Sequence, residues 1–150
     1  MTPRAVSRRP SRGWPWWFVP RPWAEIQAHL DAVAQKDPTH RHLAAIVMSV
    51  RTSSQEAHLA GLTSMHDLIV RGRPVPDPPV DVVAVRSPSS LVRVPAGTIV
   101  IEHLSTTGHD DRIIRPADEA VPLFWRFMVE KFGLHRMTGT DGEQGHRTVG

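Results

Sequence analysis

The chain has 150 residues, 40% of them hydrophobic and 22% charged, which fits a single globular domain large enough to bury a core. It contains no cysteine, and this excludes disulfides, thiolate zinc sites and a cysteine nucleophile together. The net charge of +3 is unevenly placed: Arg4, Arg8, Arg9, Arg12 and Arg21 precede or border the first acidic residue, Glu25, and residues 22–150 carry 13 Lys+Arg against 15 Asp+Glu. The body is therefore close to neutral, and a nucleic acid or other acidic partner would be met by the N-terminal arginines alone.

Residues 1–21 read as a basic, Trp/Pro-rich flexible tail. The first 13 have too few apolar groups to offset the entropy of ordering. WPWWFVPRPW follows, extended rather than helical because prolines interrupt it. Its apolar run is too short for a signal peptide or a membrane span, which needs roughly 18 residues, and no small-residue cleavage site follows. The expectation is a cytoplasmic protein without a transmembrane segment.

Residues 22–136 read as a single α+β domain. PWAEIQAHLDAVAQK is a helix: Trp23, Ile26, Leu30 and Val33 form one stripe, and Asp37-Pro38 ends it. In HLAAIVMSVR, Ile46, Met48 and Val50 alternate with Val47, Ser49 and Arg51, which predicts a strand, with AHLAGLT returning beside it as a hairpin. SMHDLIV is open between a short helix capped by Ser64 and another strand. RGRPVPDPP is a proline-rich connector; its Pro76–Pro79 spacing resembles a groove-binding motif, but a stiff link between strands is the simpler role.

VDVVAVRS is a β-branched strand buried on both faces. TIVIEHL is a second strand, STTGHDD a turn and RIIRP its return. ADEAVPLFWRFMVEKF is a long helix with acids at its start and Gly133 as its left-handed stop. Residues 137–150 are expected to be a disordered tail. The pattern predicts a mainly antiparallel sheet of four to five strands, with an N-terminal and a C-terminal helix on one face.

The residues richest in chemistry lie in IEHLSTTGHDD, residues 101–111. Strand alternation puts Ile99, Ile101 and His103 on one face and Glu102 on the other. His103 could join His109 or Asp110 across the turn as ligands of a divalent metal, leaving a position for water. Glu102, His103, His109 and Asp110 are thus the candidate catalytic residues, against the plainer reading of a polar hairpin turn. Ser64, His66 and Asp67 are sequence neighbours without a nucleophile elbow, and His40 and His42 flank Arg41 without defining a site.

Two surfaces are candidates for binding. Arg8, Arg9 and Arg12 beside Trp14, Trp16 and Trp17 could stack on bases while neutralising phosphates. Phe124 and Phe127 belong to an aromatic helix face that could exceed what the sheet covers. The leading expectation is a small non-enzymatic protein that binds a protein partner or self-associates into an oligomer. The alternatives are a metal-dependent or acid/base enzyme built on the 102–111 loop, and nucleic-acid binding through the tail.

Overall fold

The computed structural model describes residues 13–108 and 110–135. Three helices, α1 (Trp23–Lys36), α2 (Arg41–Arg51) and α3 (Ala120–Phe132), accompany five strands: β1 (Leu59–Ser64), β2 (Asp67–Gly72), β3 (Val82–Arg86), β4 (Thr98–Leu104) and β5 (Asp111–Pro116). The strands pair antiparallel in chain order, so the sheet is a meander built from neighbouring segments. Class and sheet are those expected from the sequence.

The helices cover one sheet face. Trp23, Ile26, Leu30, Leu43, Ile46, Val47, Phe124 and Met128 pack with Leu59, Leu68, Val83, Val85, Ile99 and Ile101 into the main core. Trp23 lies against the β1 backbone, its Nε1 donating to the Leu59 carbonyl at 3.2 Å. A Cβ at Gly61 would stand 2.6 Å from the Trp23 ring, so glycine is what lets the indole lie this close. Gly133 stops α3 at φ 68, as its position after the apolar run predicts.

The segment expected as the first strand of a hairpin is instead α2. His42, Leu43, Ile46, Val47 and Val50 are buried, whereas Met48 is 50% exposed. This is spacing by three and four, not by two. The β-branched residues suggested a strand; a helical stripe facing the core overrides that preference. AHLAGLT supplies most of β1 (Leu59–Ser64), but that strand pairs with β2, so SMHDLIV resolves as a turn and a strand. The extra helix also separates α1 from α3, packing against both.

Met65 and His66 make the turn between paired Ser64 and Asp67, with φ of 50 and 69. Positive φ at both central positions is the type I′ hairpin pattern, which favours Asn-Gly. Met65→Asn with His66→Gly is expected to raise stability by about 1 kcal/mol, read as a higher urea midpoint at constant slope.

The other sheet face has a smaller core of Phe18, Ala60, Ile69, Val80, Val82 and Ala84. Residues 13–21, placed by sequence in the tail, lie along it. Trp14 and Val80 exchange backbone hydrogen bonds of 2.7 and 3.0 Å, and the Arg21 amide donates to the Gly61 carbonyl. β3 therefore meets apolar groups on both faces, as its continuous apolar run predicts. No helix among the described residues is long and apolar enough to cross a membrane.

Candidate functional site

His103 and Glu102 diverge as strand alternation requires. Glu102 accepts from Arg86 Nε at 2.8 Å on the face away from the helices. His103 is buried at the end of β4, edge-on to Phe132, with Nε2 3.9 Å from Asp81 Oδ2. Burial and the Lys131 charge hold its pKa below the usual imidazole value, against the pull of Asp81, Asp111 and Asp110.

Asp110 Oδ1 accepts the Ser105 amide at 2.8 Å and so closes the turn, and Asp111 pairs with Lys131. His109 lies outside the described residues, so the His103, His109 and Asp110 set is not assembled among those described. No group of three or more His, Asp or Glu side chains among the described residues is placed to share a metal ion.

Arg8, Arg9 and Arg12 also lie outside the described residues. Trp14 is partly buried, edge-on to Trp16, while Trp16 and Trp17 are 66% and 67% exposed. Phe124 and Phe127 are buried in the main core, and Trp125 Nε1 donates to Ser49 Oγ at 2.9 Å. The aromatic helix face is thus covered largely by α2 and the sheet.

A concavity of about 770 Å³ opens between the start of α2, the loop after β3 and the entry to α3. Ala45, Pro88, Val94, Pro95 and Val121 supply apolar wall; Thr39, Arg41, His42, Thr98 and Asp118 supply polar groups. Asp37 shapes the first edge: Oδ1 accepts from the Thr39 amide at 3.1 Å and from Thr39 Oγ1 at 2.6 Å, turning the chain from α1 towards α2.

The β3–β4 loop is tied down at both ends. Asp67 takes the Ser87 amide at 2.8 Å and Ser90 Oγ at 2.7 Å, and Arg86 bridges Asp67 to Glu102. His40 Nε2 lies 3.1 Å from Ser89 Oγ, joining the loop to the helical side. The Ala117 amide donates to the Gly97 carbonyl at 3.0 Å, joining it to the α3 entry. Asp67 is therefore committed to this network, and the Ser64, His66, Asp67 neighbours form no relay.

His42 is the most unusual group on the cavity wall. It is 8% exposed, and its Nε2 has no hydrogen-bond partner among the described residues. Burial, reinforced by His40 and Arg41, pushes its pKa down to about 4, so the ring is neutral near pH 7. A neutral imidazole can donate or accept according to its tautomer. Arg41 and Asp118, both exposed, set opposite charges on the rim.

Sequence reasoning marked His40 and His42 but set them before a strand, one face of which could carry both; the structure instead puts His42 in the first turn of α2, on the cavity wall. The loop from Pro88 to Gly97 carries no motif; its role comes from hydrogen bonds to residues far away in the chain. Comparison with protein-family models, with curated proteins and with solved structures finds no match for this chain.

Proposed function

We propose that this is a small binding protein whose cavity between α2, the β3–β4 loop and α3 takes an apolar small molecule. The observation that carries this reading is a concavity of about 770 Å³ with a mainly apolar wall and a few fixed polar groups. That size is within the roughly 300–1,000 Å³ of small-ligand pockets. Binding would remove apolar wall and ligand surface from water, and Thr39, Thr98 and His42 would orient the polar end.

The test is titration with N-phenyl-1-naphthylamine, a neutral fluorescent apolar probe. Saturable binding is expected, weakened at least about tenfold by Ala45→Trp, which puts an indole into the cavity from the exposed side of α2. No saturable binding, or equal affinity in the variant, would remove the proposal.

A second reading retains the expectation of a protein partner or self-association. It is favoured by Trp16, Trp17 and Val19, all about two-thirds exposed on a segment pinned at both ends. Sedimentation of the full chain beside the Trp16→Ser, Trp17→Ser double variant tests self-association. A concentration-dependent mass lost in the variant supports it, and a monomer throughout argues against it.

A further inference from the structure

A cluster separate from the cavity gathers at the β1–β2 turn. Nε2 of His29, on α1, lies 3.0 Å from Nδ1 of His66, and the rings stand 5.0 Å apart at a tilt of 35°. His40 stands edge-on to His66 at 6.1 Å, but its Nε2 is occupied by Ser89 Oγ. His29 is exposed and His66 partly so, which leaves the pair open to dissolved ions.

Two elements fix this pair. α1 is anchored by buried Trp23, Ile26 and Leu30, and His29 projects from its outer side. His66 sits at φ 69, a left-handed conformation that a histidine adopts at a cost. The fold therefore holds a strained residue with one ring nitrogen directed at a second imidazole.

The distance has a chemical meaning. Imidazole nitrogens bind late divalent metals at about 2.0–2.1 Å, so two of them 3.0 Å apart subtend roughly 90° at a shared ion. That is the angle between adjacent positions in tetragonal or octahedral coordination. We propose that His29 Nε2 and His66 Nδ1 hold one divalent late transition-metal ion of the nickel or copper kind, with water in the other positions.

In the neutral pair one ring donates its facing N–H to the other. When the metal binds, that ring's hydrogen moves to its far nitrogen, so both facing nitrogens offer lone pairs and each ring carries one hydrogen. Burial, His66 and Arg21 keep the His29 pKa below its ordinary value, which favours the free lone pair. Arg21 would repel a cation, but its Nη2 is 2.9 Å from Glu25 Oε1, one helical turn before His29, and that carboxylate offsets it.

This proposal is independent of the cavity. It is tested by calorimetric titration of the untagged full chain with nickel chloride in a non-chelating buffer near neutral pH, repeated with copper. One ion per chain is expected, copper tighter than nickel. His29→Ala and His66→Asn should each weaken binding by more than about tenfold, since loss of even an outer partner costs that much. Alanine suits the exposed helix position, and asparagine suits the left-handed turn, so both variants keep the fold. Absence of binding to the folded wild type, or unchanged affinity in either variant, would overturn the assignment, the latter placing the ion at another of the nine histidines.

Discussion

Asp67→Ala is expected to cost about 3 kcal/mol of folding stability and to weaken probe binding in the cavity with it. The carboxylate is 4% exposed and serves three donors: the Ser87 amide, Ser90 Oγ and Arg86 Nη1 at 3.1 Å. Alanine leaves the buried Ser87 amide and the half-buried Ser90 hydroxyl without this acceptor. Arg86 keeps Glu102, which places the loss at the low end for a broken buried ion pair.

Because the same carboxylate anchors the start of the β3–β4 loop, one cavity wall should loosen as well. Asp67→Asn keeps an acceptor for Ser87 and should lose less on both counts. Urea unfolding of the two variants beside wild type reads the stability, and N-phenyl-1-naphthylamine titration reads the cavity. A loss under about 1 kcal/mol in the alanine variant would mean that the loop is held by other contacts.

The second large effect is with pH and comes from His42. Its pKa falls from the ordinary 6.5 to about 4 on folding, chiefly through burial. Between those values the unfolded chain binds a proton that the folded chain does not, so stability must fall as pH falls. The contribution is fully present above 6.5 and exhausted near 4, and across that window it amounts to at most about 3 kcal/mol.

His29 and His103 are shifted in the same direction and add to the slope. Urea midpoints across this pH range for wild type and His42→Leu separate the His42 part as a difference. The variant should lose markedly less stability on acidification; parallel curves would show that His42 takes up its proton without unfolding cost.

The sequence alone determined the features that depend on local repetition and on short-range chemistry. β3 and β4 announced themselves by apolar runs in which every β-branched side chain has a place on a pleated sheet. α1 and α3 were legible from their stripes, from Asp37-Pro38 and from Gly133, because caps and breakers act on the backbone within one turn. The divergence of Glu102 and His103 followed from strand periodicity. The α+β class and the mainly antiparallel character of the sheet came from the same evidence, since the strands cluster along the chain between helical segments, whereas the strand order did not.

Tertiary structure decided the rest, for reasons of burial and distance. Residues 41–51 carry both a weak alternation and a helical stripe, and the helix wins because Leu43, Ile46, Val47 and Val50 reach the core together only at helical spacing. The cavity is assembled from three segments that share no local signal, and its wall depends on Asp67 bonding Ser87, twenty residues away. His29 and His66 are separated by 37 positions and meet only because a left-handed turn brings one ring to the outer side of α1. Periodicity specifies which way a side chain points from its own element; which side chains converge is fixed by how the elements pack.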